Sequence, residues 1–412
     1  MEKTLQALQE METLLQKHET YRQQCLNLIA SENYASPRVR QYQTSDFGNR
    51  YGCHETLALE KREYTGNRYI YEFEAYLEEL LTSVYGGQFV DLRPVSGHMA
   101  GMAVVTGLLP AGGTMMEVSW DDWGHGLAEA MVGNPHFQKT IHISYLPFHS
   151  DRTIDLITLE KMLQKDEPQL LVMGASGMLW REPVAAVKQL LSGKDTILAY
   201  DISHISGLIA CGVYPNPLTE GADIIFGSTH KSFPGPQGGF IVTNRRELAE
   251  KVGNALSPCM VTSHHLQRLP ALAAALLEMK AYGPAYGQQI IKNSQALGQA
   301  LVEAGFPVIG KDGIYSETHQ VLVNTEPWGT AEEINIRLEA ANILCSGFCV
   351  PVYDLRIGTQ ELTRRGMVEK DAPEIAQLLA RAILHQEAPE SLKPDVIKMA
   401  SRFQQLQFAF SN

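Results

Sequence analysis

A chain of 412 residues, 44% hydrophobic and 19% charged, can bury a sizeable core and lies far from the composition of disordered segments. At roughly 150 residues per domain it holds about two or three domains. Its 34 Lys and Arg against 46 Asp and Glu leave a net charge of −12 with no Lys/Arg block, which excludes the electrostatic footprint of a duplex-binding protein.

At the N-terminus, MEKTLQALQEMETLLQKHE has no apolar signal core, and Leu5, Leu8, Met11 and Leu15 recur at helical spacing. The stretch reads as an amphipathic helix that docks on something, a partner subunit being one candidate. No run of about 18 apolar residues follows, so no membrane association is expected and the expected location is the cytoplasm. Asn49 to Asn67 reads as a long irregular loop, a class of segment that is disproportionately functional. Next come FVDLRPV and the helical HMAGMAVVTGLL, then IHISY, QLLVMGA, TILAYD, DIIFGS and GGFIVT, short β-prone runs alternating with helical stretches. That alternation predicts an α/β protein with a mostly parallel sheet covered on both faces. Helical patterns from about Leu266 to Ala304 run past Gly283 and Pro284, and VLVNT, a helix from Thr330 and VYDLRIG predict a smaller α/β unit. The expected division is an N-terminal helical arm over 1–30, a large domain over 31–285 and a small domain over 286–412. Cys25, Cys53, Cys211, Cys259, Cys345 and Cys349 are scattered without zinc-like spacing, so no metal site is expected, and Cys345 and Cys349 read as small apolar residues packed near a strand.

Chemistry concentrates between Ile197 and Gly239. Asp201 closes TILAYD, His204 follows three residues later, and Lys231 follows DIIFGSTH ahead of the turn-forming PGPQGG. Ligands of open α/β sheets sit at the carboxyl ends of strands. A Schiff-base lysine must be partly neutral, and pyridoxal phosphate needs an acid against its ring nitrogen, a place Asp201 could fill. On spacing alone, the pattern fits a structural arrangement as well as a cofactor site.

The stretches NLIASENYASPRVRQ, VSGHMAGMAVVTGLLPAGG, WGHG, YDISHISGLIACGVYPNP, STHKSFPGPQGG and RIGTQELTRRGM closely resemble serine hydroxymethyltransferases, in the same order and over nearly the whole chain. The resemblance implies a fold-type I pyridoxal-phosphate enzyme, with a mostly parallel seven-stranded sheet in its large domain and a small α/β C-terminal domain. It implies Lys231 as the Schiff-base lysine, Asp201 as partner of the pyridine nitrogen, and His125 as a ring-stacking histidine that helps move protons. His204 matches a residue near the cofactor's phenolic oxygen and the substrate carboxylate, and Ser176, Ser228 and His230 match further cofactor contacts. Ser96-Gly97 resembles the phosphate-binding turn, and a glycine ahead of a helix N-terminus suits that task physically. His98 stands where the family has a small hydroxyl residue, and can still donate to phosphate. Thr262 and Ser263 occupy the positions of a glycine pair that reaches the phosphate from the neighbouring subunit. Arg356 matches the arginine that clamps the substrate α-carboxylate, whose planar fork binds bidentately. Ser31, Tyr69 and the cross-subunit Tyr51 are further substrate contacts by the same match. Arg364 and Arg365 are expected to hold the backbone or the dimer.

Two departures fall where the family binds folate. A compact tyrosine-rich segment is opened by an insertion, GCHETLALEKRE, between Tyr51 and Tyr64; Ile70 replaces a tyrosine, and no glutamate is assigned to the folate-contacting place, Glu55 being only a candidate. The loop between Ile343 and Arg356 is shortened, and Trp120, Trp123, Asp121 and Asp122 stand just ahead of His125. The expectation is folate-independent aldol or retro-aldol chemistry on a β-hydroxy-α-amino acid through a glycyl quinonoid, with an aldehyde as co-substrate, in a homodimer with shared sites, a tetramer of two dimers being the alternative assembly. The alternatives are a folate-dependent serine hydroxymethyltransferase with an atypical pterin site, other pyridoxal chemistry such as transamination, racemisation or elimination, and an inactive binding paralogue.

Overall fold

A computed structural model describes residues 1–52, 64–134, 140–347 and 352–411. Cys53, Glu55, Cys349 and most of the expected 52–63 insertion lie outside the described residues. The chain divides into two compact units, one of residues 1–30 with 292–407 and one of residues 31–291 with 408–412.

Taken in chain order, the strands are β1 (Leu26–Asn27), β2 (Phe89–Asp91), β3 (Gly113–Glu117), β4 (Ile141–Tyr145), β5 (Leu170–Met173), β6 (Ile197–Asp201), β7 (Ile224–Ser228), β8 (Gly239–Thr243), β9 (Gln320–Asn324), β10 (Ile343–Leu344) and β11 (Asp354–Gly358). In the larger unit the described residues form a seven-stranded sheet, ordered β2-β8-β7-β6-β5-β3-β4. Only β8 runs against its neighbours, so the mostly parallel sheet expected from the sequence is present. Alternate residues build the two faces. Leu171, Met173, Leu198, Tyr200 and Ile225 enter one buried cluster, while Leu170, Val172, Ala199, Ile224 and Phe226 enter the other. Both faces are therefore covered, as parallel strands require.

The strand GTMME (β3) escapes a reading of local pattern, because glycine and paired methionines carry no β-branched signal. It nevertheless lies inside the sheet, between β5 and β4. The long helix Arg268–Glu303 continues through Pro284, following the helical periodicity.

In the smaller unit β11 pairs antiparallel with β9, placing Arg356 opposite Leu322, and the two-residue β1 pairs parallel with β10. The helix Glu2–Gln23 has the predicted span but buries none of its residues, and Leu5, Leu8, Met11 and Leu15 are all exposed. Cys345, following β10, is buried, which pushes its thiol up to about 12. Among the described residues, no helix is long and apolar enough to cross a membrane.

Candidate active site

The parallel strands of the larger unit bring the chemistry-bearing residues to one edge of the sheet. β6 ends in Asp201, whose Oδ1 accepts the Ser203 N–H at 2.8 Å. His204 follows, buried, and its Nε2 lies 3.3 Å from Lys231 Nζ on the loop after β7. The two strand ends are tied together by Ser203, whose Oγ accepts the Ser228 N–H at 3.0 Å and lies 3.2 Å from Ser228 Oγ. Ser203 was not among the sequence-derived candidates. Its signal was its place between Asp201 and His204, and its partner is set only by the pairing of β6 with β7.

A third part comes from the turn after β2. Ser96 caps the twelve-residue helix Gly97–Leu108, its side chain accepting the Met99 N–H. Gly97 is required by close approach, since a Cβ there would lie 2.3 Å from Ser228 Oγ and 3.0 Å from Ser203 Oγ. An N-capped helix end with a bare glycine is suited to an anion.

The loop after β3 supplies His125. Gly126 and Trp123 adopt left-handed backbone conformations around it. Ser176, after β5, donates its N–H to the Trp123 carbonyl at 2.6 Å. Behind the turn, the Glu117 carboxylate at the end of β3 accepts the Ala128 and Glu129 N–H groups at 3.1 Å. Burial pushes Glu117 up to about 7. His125 Nε2 lies 2.9 Å from His98 Nδ1.

Electrostatics around this cluster favour neutral bases. Burial pushes His230 down to about 4, the Lys231 charge adding to the effect. Its Nδ1 is buried and has no hydrogen-bond partner among the described residues. Desolvation by the site walls also lowers His98 and His125 below the ordinary imidazole value, although each ring keeps an open edge. For His125 the Lys231 charge acts in the same direction, while Asp201 opposes it.

Pyridoxal phosphate fits this donor set. Lys231 is the amine, Asp201 the acid, the Ser96-Gly97 helix end and the unsatisfied His230 nitrogen suit the phosphate, and His125 supplies a flat ring. These residues would hold the group.

Other sequence-derived candidates stand elsewhere. Tyr51 and Tyr69 are exposed, the Tyr51 ring lying 4.8 Å from that of Tyr64 and its carbonyl accepting from Asn67 Nδ2. Thr262 is exposed, while Ser263 and Ser31 are half-buried. Among the described residues, no hydrogen bond joins these five to the cluster. In the smaller unit Arg356 exchanges backbone hydrogen bonds with Ser346, and burial pulls its guanidinium down to about 10. Arg364 is buried, and Arg365 pairs with Glu361 at 3.2 Å, so both hold their own unit together.

The family model described as serine hydroxymethyltransferase matches residues 5–379. A serine hydroxymethyltransferase of Methanopyrus kandleri is 35% identical over 408 residues, covering 97% of this chain and 94% of the relative. That of Pyrobaculum calidifontis is 34% identical over 412 residues, with the same coverage of 97% and 94%. Among solved structures, an L-threonine transaldolase from Pseudomonas fluorescens, in its internal aldimine state, is similar with a TM-score of 0.91 and 28% identity, covering 99% of this chain and 95% of that one. Agreement of this length in both sequence and fold, around a strand-edge cluster that suits the cofactor, establishes that the chain belongs to the serine hydroxymethyltransferase family of fold-type I, pyridoxal-phosphate-dependent enzymes.

Proposed function

We propose that this enzyme performs aldol and retro-aldol chemistry on a β-hydroxy-α-amino acid without folate, in the manner of a transaldolase. The observation carrying this reading is the aromatic wall beside His125, on the side where the family's pterin is expected. Trp120 stands so close to the turn that a Cβ on Gly126 would lie 1.8 Å from its Nε1. Trp123 is buried beneath Gly177. The likeness to an L-threonine transaldolase supports the same reading.

When bound, pyridoxal phosphate supplies an electron sink for the carbanion left at the substrate α-carbon. Lys231 would hold the cofactor through its side-chain amine. Asp201 would keep a proton on the cofactor's ring nitrogen. Held by Ser203, its carboxylate needs no reorganisation during the reaction. Arg356 binds the α-carboxylate and orients the bond that breaks. His125 holds the proton given up by the β-hydroxyl as an aldehyde departs. Returning a proton to the α-carbon gives glycine, whereas adding another aldehyde gives a new β-hydroxy amino acid. The working unit is a homodimer in which Tyr51 and the Thr262-Ser263 segment serve the neighbouring chain's site.

A folate-dependent serine hydroxymethyltransferase with an atypical pterin site is the second reading, favoured by the names of the relatives at 34% and 35% identity. A panel of amino acids assayed with and without tetrahydrofolate separates the two. Acetaldehyde release from threonine, faster with an added aldehyde acceptor, is the expected outcome. Serine turnover that strictly requires tetrahydrofolate would overturn it.

A further inference from the structure

We propose that His98 is a positioning residue for His125 and that the two imidazoles form a proton conduit between solvent and the reacting atoms. This rests on the placement of His125 at the cofactor given above.

The two residues are 27 apart in sequence, yet His98 Nδ1 and His125 Nε2 meet at 2.9 Å. Their rings are 5.1 Å apart, edge to face at 71°. Neither ring reaches the contact on a loose tether. His98 is the second residue of the helix capped by Ser96. His125 sits in a turn held by the Ser176 N–H on the Trp123 carbonyl and closed by the Glu117 carboxylate on the Ala128 and Glu129 N–H groups. A contact made by two separately anchored elements is preorganised.

The chemistry follows from the inventory of the imidazole ring. Two neutral imidazoles share one hydrogen bond only when one nitrogen carries the proton and the other is bare, so the contact couples their tautomers. With the proton on His125 Nε2, His98 Nδ1 accepts and His98 Nε2–H faces outward. A proton then taken up at His125 Nδ1 is balanced by transfer of the Nε2 proton to His98 Nδ1 and release of the Nε2 proton of His98 to water. One proton enters and one leaves, and both rings end neutral. The reverse path brings a proton from water to the site. The charged groups facing the pair are Asp201 from the end of β6 and Lys231 from the loop after β7. Desolvation keeps both rings in the neutral, transferring form near pH 7. A small hydroxyl at position 98, as in the family pattern, has a single polar atom, whereas the imidazole has one nitrogen at His125 and a second on the far side of its ring.

The test uses the holoenzyme and the variants His98→Ala, His98→Phe and His125→Ala, with exchange of the glycine α-proton in heavy water as a readout independent of any second substrate. In His98→Ala, the visible cofactor band and the amino-acid KM are expected to stay within about 2-fold of wild type, while exchange and kcat fall by about 100-fold. The kcat–pH profile is expected to lose one ionisation, and added imidazole to restore exchange in proportion to its concentration. His98→Phe is expected to keep the band and to resist imidazole rescue, because its ring fills the space. Wild-type exchange and pH profile in both His98 variants, with impaired His125→Ala, would overturn the conduit alone. Loss of cofactor without a change in pH profile would also overturn it, making His98 a phosphate contact. Full exchange in His125→Ala as well would overturn the placement of His125 itself.

Discussion

Glu182, on the loop after β5, is a half-buried acid close enough to Asp201 to feel its charge. Its Oε2 accepts the Gly174 N–H at 3.1 Å and its carboxyl bonds Tyr200, whose hydroxyl lies 3.3 Å from that of Tyr214. Burial raises it from 4.5 to about 7, with the Asp201 charge adding to the rise. The folded protein holds this proton more tightly than the unfolded chain, so the resulting stability is fully present below about 4.5 and is lost as pH rises through about 7. Glu182→Gln keeps the acceptor and removes the charge. It is expected to match wild type at pH 5 and to exceed it at pH 8 by something on the order of 3 kcal/mol, read from thermal unfolding at the two pH values. A second expectation concerns Arg356, already strained towards neutrality by burial. Arg356→Lys replaces a bidentate fork by a point charge, and should raise the amino-acid KM by about 10- to 100-fold with the cofactor band unchanged in steady-state and absorbance measurements.

Between strands and turns, the decisive feature is how the loop after β3 is pinned. Trp123 is 5% exposed, and a Cβ on Gly177 would lie 2.4 Å from its Cγ and 2.7 Å from its Cβ. These atoms lie at the root of the side chain, so the clash is relieved only by moving the turn that carries His125. Gly177→Ala is expected to destabilise the protein by about 1–3 kcal/mol and to lower kcat more than it raises KM, checked by unfolding and steady-state kinetics. Local pattern gave no warning of this contact. Ser176 is a candidate through the family resemblance, but the glycine beside it matters only because β5 and β3 are adjacent and their loops meet. The strand β3 itself was hidden for the related reason that Gly113, Met115 and Met116 look neither β-branched nor alternating, although two partner strands hold them in place.

For the whole molecule, the helix Glu2–Gln23 places Leu5, Leu8, Met11, Leu14 and Leu15 at the surface, a face suited to a second copy of the chain. If sites are shared, two inactive variants should complement each other. Tyr51→Phe and Lys231→Ala proteins, unfolded and refolded together, are expected to regain activity absent from either alone. A hybrid dimer would contain one site with both an intact Lys231 and a tyrosine from its neighbour. No recovery across mixing ratios, with hybrids detected by native mass spectrometry, would show that Tyr51 serves its own chain. The net charge of −12 bears on solubility and leaves the site's own field, set by Lys231 and a helix N-terminus, to local geometry.

By itself the sequence determined the α/β class, the places of most strands along the chain and the strand-end residues Asp201, His204 and Lys231, because strand periodicity and the spacing of a motif are local properties of the chain. Tertiary structure alone decided that Ser203 bridges β6 to β7 and that His98 meets His125. Those contacts join residues brought together only when parallel strands align their carboxyl ends, and no period along the chain encodes which two loop ends will then lie within one hydrogen bond of each other.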